Sequence, residues 1–256
     1  MARAAEAAGA AVLAAGEARY DSVAVTASLA AATSTVPLMT SVATWSRSPV
    51  SAAVAALTLA EISQGRFTLG LGTMPPGWNR DFHGIDPSRP LARLRDYVAV
   101  LRAAGQAWAG QVADYEGEFF TVKGYGSERA EPPQHTVPIH LAATRPAMAR
   151  LAAEIGDGVI INVVHTTAWL RDSLVPALEE GATRAGRSVP RSVMVRVVLH
   201  DGSRRGRAAA MAGASSALAR YRPVPYFRDI ALAEGLDPDR LDDERLVKRF
   251  VVVGTP

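Results

Sequence analysis

Leu57-Thr58-Leu59-Ala60-Glu61-Ile62-Ser63-Gln64-Gly65-Arg66-Phe67-Thr68-Leu69-Gly70-Leu71-Gly72 is the stretch whose reading decides the fold. A helix-forming run stops at a glycine and gives way at once to a short, apolar run. Gly65 suits the residue that closes a helix, and Phe67, Leu69 and Leu71 alternate with small or polar neighbours as a strand requires. The same switch of period recurs along the chain. Upstream, residues 36–43 read as a strand, and Ser48-Pro49 supplies an N-cap and first helical residue for an Ala-rich helix to Ile62. Downstream, 90–104 reads as helix, 138–143 as strand, 146–155 as helix, 159–163 as strand, 168–185 as helix and 193–199 as strand. Residues 10–15 form an earlier strand with Glu17 at its C-terminal tip. The segment 21–33 fits both a strand-like alternation and an Ala-rich helix, and Asp21 as N-cap favours the helix. Such alternation predicts a parallel α/β architecture. It fits one domain over 1–256, with a hairpin insertion at about 115–137 and a proline-broken helical excursion at about 221–248.

Composition narrows the function classes. A chain of 256 residues buries roughly 70% of its unfolded surface, and 48% hydrophobic against 21% charged residues excludes a disordered chain. The absence of cysteine removes thiolate catalysis, Cys-ligated zinc and disulfides, and agrees with a reducing compartment. Twenty-eight basic against 25 acidic side chains give a net charge of +3. The arginines are scattered, clustering only at Arg204, Arg205 and Arg207, so the basic stripe with interleaved aromatics that nucleic acid requires is missing. No apolar run reaches the roughly 18 residues of a membrane span. Glu6, Gly9 and Glu17 interrupt the Ala-rich start, so the expected location is cytoplasmic.

Four segments carry a resemblance: 57–72, already quoted; Met39-Thr40-Ser41-Val42 with Arg47-Ser48-Pro49 behind it; Pro138-Ile139-His140-Leu141-Ala142-Ala143; and Arg150-Leu151-Ala152-Ala153-Glu154-Ile155-Gly156-Asp157-Gly158-Val159. In this order they resemble the bacterial-luciferase-like flavin and deazaflavin oxidoreductases. The likeness is strongest to the branch using coenzyme F420, an 8-hydroxy-5-deazaflavin, which includes methylenetetrahydromethanopterin reductase-like proteins. It implies a TIM-type (β/α)8 barrel with insertions. Members are normally longer: Met1 falls inside what resembles the first helix, and 251–256 resemble the lead-in to the last helix and strand. The expectation is therefore a barrel lacking its first and last strands, a six-stranded arc with an open seam. Open edges invite association, a homodimer in the simplest case.

Barrel enzymes build their sites at the C-terminal ends of the strands. At Thr40-Ser41-Val42 the resemblance implies a bulge, often with a non-prolyl cis peptide, that props the tricyclic ring; the residues alone fit an ordinary strand end. Gly72-Thr73 offers bare backbone and a hydroxyl. Ala143-Thr144-Arg145-Pro146 feeds a helix N-terminus, the natural seat of a phosphate, with Arg145 as either a charge-assisted donor or a solvated cation. Asn162 and Val163 would lie against the ring or its ribityl-phosphate chain. The resemblance turns Glu17 toward substrate or ring edge, where the residues alone fit a solvated carboxylate. His83, in Trp78-Asn79-Arg80-Asp81-Phe82-His83-Gly84, is placed for proton transfer, the alternative being a structural histidine. His140 is strand-core material, and His135, His165 and His200 are too dispersed to form a metal site, so no metal is predicted. Glycosidase-type carboxylate pairs, nucleophile elbows, Walker loops and a Gly-x-Gly-x-x-Gly after a strand are all absent. The chemistry is then a redox cofactor's. The expected function is hydride transfer between reduced coenzyme F420 and a small organic substrate, with an FMN-dependent monooxygenase as one alternative and a non-catalytic, truncated or binding-only paralogue as another.

Overall fold

A computed structural model describes residues 1–17, 20–107, 111–126, 128 and 130–255. The chain opens with α1 (Ala2–Ala7), β1 (Leu13–Ala15), α2 (Ser22–Ala32), β2 (Leu38–Thr40), β3 (Ala43–Thr44), α3 (Pro49–Ile62) and β4 (Phe67–Gly72). Next come α4 (Pro76–His83), α5 (Pro90–Gly105), β5 (Val112–Glu116), β6 (Thr121–Gly126), β7 (Ile139–Ala143), α6 (Pro146–Ile155) and β8 (Gly158–Ile161). The last third holds α7 (Thr167–Trp169), a π-helical turn at Leu170–Leu174, α8 (Val175–Ala185), β9 (Arg191–Val193), β10 (Arg196–Leu199), α9 (Arg204–Ala219), α10 (Pro225–Ala233), α11 (Glu244–Phe250) and β11 (Val251–Gly254).

The main sheet runs β1-β2-β4-β7-β8-β9 in chain order, every pair parallel, with β3 joining β4 beyond the end of β2. This is a half-barrel, wound sequentially as the βαβ alternation predicts. Local chemistry sets the helix starts: Asp21 accepts from the Ala24 amide at 2.9 Å and Ser48 from the Ser51 amide at 3.2 Å. Phe67, Leu69 and Leu71 of β4 face outward into a core shared with Ala52, Ala56 and Leu59 of α3. Their intervening neighbours point into the barrel. Close helix packing rests on one glycine: a Cβ on Gly181 of α8 would lie 2.1 Å from the Arg150 carbonyl oxygen of α6. A second core joins Ala214 and Leu218 of α9, Phe227 and Ile230 of α10, and Leu246 and Phe250 of α11 to Val164, just past β8.

Several details depart from the sequence reading: the strand read over 36–43 is split into β2 and β3, and the helix read over 168–185 is interrupted by the π-helical turn. The stretch 193–199 is not one strand: Arg191–Val193 completes the main sheet, while Arg196–Leu199 pairs in parallel with Val251–Gly254. Arg196 explains the break, because its guanidinium donates to the Ala217 carbonyl at 3.0 Å and covers the Tyr221 ring, drawing β10 onto α9. The residues 251–254, expected as a lead-in, form β11 of that pair. The antiparallel hairpin of the first insertion begins at Val112 rather than Tyr115.

Candidate active site

The sheet register locates an irregularity at the C-terminal end of β2. Met39 pairs with Thr68 and Ala43 with Leu71, so three residues, Thr40, Ser41 and Val42, stand against two on β4. This is the bulge expected there, and the Ser41–Val42 peptide bond is cis. The Thr40 hydroxyl patches the interrupted ladder, donating to the Gly70 carbonyl at 2.8 Å and accepting the Gly70 amide at 2.9 Å. Thr40 is fully buried. Its hydroxyl therefore positions the bulge and is not offered to a ligand. The bulge is held from its other side by the Ser41 amide on the Ala15 carbonyl (2.7 Å) and the Glu17 amide on the Val42 carbonyl (3.1 Å). The Ser41 hydroxyl reaches Met194 Sδ at 3.5 Å, joining the ends of β2 and β9.

Beside the bulge lies an apolar wall. A Cβ added to Gly72 would sit 2.6 Å from Val42 Cγ2 and 3.4 Å from Ala142 Cβ, so both side chains lie over bare β4 backbone. The segment after β4 is fixed by a residue that sequence reasoning passed over. Asn79, buried on α4, accepts the Trp45 indole N–H at 2.8 Å and donates to the Thr73 carbonyl at 2.7 Å. Asn79 lies in the same stretch as His83, 78–84, but only the folded chain brings Trp45 to it. His83 itself lies exposed in the last turn of α4. Glu17 is half-buried, its carboxylate accepting the Ser22 hydroxyl at 2.7 Å.

On the opposite side, α6 begins at Pro146 with no side-chain cap on its first turn, leaving free amides and the positive dipole end there. Ala143 is buried and Thr144 half-buried, with the Thr144 carbonyl accepting the Trp169 indole at 3.3 Å. Arg145, the N-cap residue, is neither free nor merely solvated: it pairs with Asp229 of α10 at 2.6 Å. Asn162 folds its side-chain oxygen back onto the Val164 amide at 3.1 Å, and its carbonyl meets His165 Nδ1 at 2.6 Å. Val163 packs toward the second core. Among the described residues no three His, Cys, Asp or Glu side chains are grouped to hold a metal, and no helix is long and apolar enough to cross a membrane.

Strand-end bulge, bare glycine wall and uncapped helix N-terminus thus lie together on one half-barrel, at the strand ends where barrel enzymes build their sites. The family described as luciferase-like monooxygenase matches residues 1–256, and the chain belongs to that family of oxidoreductases. Among curated relatives, the F420-dependent glucose-6-phosphate dehydrogenase of Nocardia farcinica (strain IFM 10152) is 35% identical over 170 residues, 64% of this chain and 49% of the relative. The 5,10-methylenetetrahydromethanopterin reductase of Archaeoglobus fulgidus is 36% identical over 143 residues, 55% of this chain and 40% of that protein. These matches span about half of each relative's length or less. In fold, the chain resembles an F420-dependent secondary alcohol dehydrogenase in complex with an F420-acetone adduct, with TM-score 0.77 at 19% identity over 99% of this chain and 80% of the other. It also resembles the oxygenating constituent of 3,6-diketocamphane monooxygenase from Pseudomonas putida in complex with FMN, with TM-score 0.75 at 18% identity over 98% of this chain and 76% of the other.

Proposed function

We propose that this luciferase-like oxidoreductase moves a hydride between coenzyme F420 and a small organic substrate. The observation that carries the reading is the opening of the uncapped α6 N-terminus, with Arg145 at its cap, on the same strand-end face as the Val42–Gly72–Ala142 wall. Amides and a guanidinium suit a phosphate, and a small apolar wall suits a flat ring, so the residues fit a phosphate-bearing deazaflavin. When bound, that group supplies the hydride chemistry. In this reading Ser41 and Val42 back the ring, Thr40 holds the bulge in place, and Gly72 and Thr73 offer backbone at its edge. Ala143, Thr144 and Arg145 take the phosphate, while Asn162 and Val163 border the chain leading to it. Glu17, held by Ser22 beside the bulge, handles the proton at the substrate. His83 serves as a second proton donor from α4.

Fluorescence titration with F420 and with FMN tests the assignment. F420 is expected to bind more tightly, and Arg145→Ala to weaken it by about 1 to 3 kcal/mol, roughly 5- to 150-fold. Unchanged affinity in Arg145→Ala would remove the phosphate seat from α6. The FMN-bound fold neighbour favours a second reading, an FMN-dependent monooxygenase, for which FMN would bind more tightly and the reduced complex would consume oxygen rapidly.

A further inference from the structure

Arg93 sits within the first turn of α5, and only 18% of its side chain remains open to solvent. Among the described residues its guanidinium meets no hydrogen-bond acceptor, and its Nε is enclosed without a partner. The surroundings are aromatic: the guanidinium carbon lies 4.6 Å from the centre of the Phe119 ring and 6.0 Å from that of Trp45. Asp86 is the carboxylate in ion-pair range, at 4.0 Å, but its oxygens already accept the Ser88 amide and hydroxyl. Neighbouring Arg89 is held much more closely, by Glu118.

This arrangement is built. Asp96, three residues on and so on the same face of α5, accepts the Phe119 amide at 2.8 Å and the Tyr115 hydroxyl at 2.9 Å. The hairpin is thereby pinned with the Phe119 ring against Arg93. On the other side, Trp45 is tied through Asn79 to the Thr73 carbonyl just past β4, so a run of contacts leads from Arg93 through Trp45 to the segment that follows β4. An enclosed cation with unmet donors is costly until an acceptor reaches it. A planar fork shielded by rings matches a carboxylate or phosphate, which can take two parallel hydrogen bonds. A neutral carbonyl would add little to the distant Asp86 charge at 4.0 Å.

We infer that Arg93 anchors an oxyanion on the substrate, so the substrate class is an anionic small molecule whose charged end docks at Arg93 and whose reactive end lies on the strand-end face. The substrate role rests on the function proposed above; the anion site itself does not. The test is side-chain NMR of the 15N-arginine-labelled chain, titrated separately with acetate and with inorganic phosphate. Loss of one Nε–H signal in Arg93→Lys assigns the resonance. That resonance is expected to shift saturably, with a midpoint at least tenfold below that of the exposed arginines, acetate preference marking a carboxylate end and phosphate preference a phosphoryl end. A resonance that stays still, or drifts without saturation like its exposed counterparts, overturns the site. F420 quenching is measured alongside in wild type and Arg93→Gln. Equal F420 affinity is expected; a tenfold or greater loss in Arg93→Gln would move Arg93 into the cofactor site and overturn the substrate role. Failure of wild type itself to bind F420 would sink the proposed function while the anion titration still reads out independently.

Discussion

Gly70 and Gly72 lie two residues apart on β4, yet a methyl group at each would meet different neighbours. At Gly70 the added carbon lies 1.8 Å from the Thr40 carbonyl oxygen, which is backbone and cannot turn aside. At Gly72 it lies 2.6 Å from a methyl of Val42, a side chain that has rotamers to yield. Gly70→Ala is therefore expected to cost at least the roughly 3 kcal/mol at the top of the usual overpacking range, and Gly72→Ala about 1 to 2 kcal/mol. Chemical denaturation checks the order, and a larger cost at Gly72 would contradict the geometry. Glu6 tests a different force. Its carboxylate accepts the amides of Ser34, Thr35 and Val36 between 2.7 and 3.0 Å and the Thr35 hydroxyl at 3.0 Å. These bonds, the Thr35 amide foremost, lower its pKa from 4.5 to about 2. The unfolded chain then binds the proton first as pH falls, so the stabilisation is complete above about 4.5 and is lost as pH drops through 2. The melting-temperature advantage of wild type over Glu6→Gln should narrow across that window; a difference equal at pH 6 and pH 3 would refute it.

Elements meet at the cap of α6. The Arg145–Asp229 pair ties α6 to α10, and both side chains are about half exposed, 49% and 50%. Such a pair contributes only about 0 to 1 kcal/mol, less than the 1 to 3 kcal/mol of a charge-assisted bond to phosphate. A phosphate-bearing ligand should therefore win Arg145 from Asp229. Asp229→Asn is expected to tighten F420 binding by up to about fivefold while barely moving the melting temperature. Weaker binding in this variant would mean that Asp229 itself supports the site. The Asn79 link works at the same scale, since one amide secures α4 to Trp45 and to the end of β4.

At the scale of the whole molecule, β1 and β9 are the outer strands of the half-barrel, and each leaves one backbone edge unpaired among the described residues. The small β10–β11 sheet adds an apolar face, because Val197, Leu199 and Val252 are each more than half exposed. Unpaired parallel edges and a bare apolar face favour self-association. Sedimentation of the 256-residue chain should show a concentration-dependent dimer or larger species, reduced by Val197→Lys combined with Leu199→Lys. A monomer at all concentrations would show these surfaces to be inert.

The alternation of helix and strand, the caps at Asp21 and Ser48 and the helix 146–155 were fixed by nearest neighbours in the chain, which is why sequence alone determined them. Periodicity and capping are local, and they carry the parallel order of the sheet with them. The resemblance located the bulge at Thr40–Val42, but the reason it sits there lies thirty residues away, in the Gly70 backbone that the Thr40 hydroxyl holds. Asn79 was unreadable because its two partners, Trp45 and Thr73, come from other segments. Arg145 read as an open cation because nothing local predicts Asp229, 84 residues on. Likewise the largely apolar run over 193–199 gave no sign that Arg196 would turn the chain toward Ala217. Burial and long-range hydrogen bonding decided these features, and both exist only once distant segments are packed together.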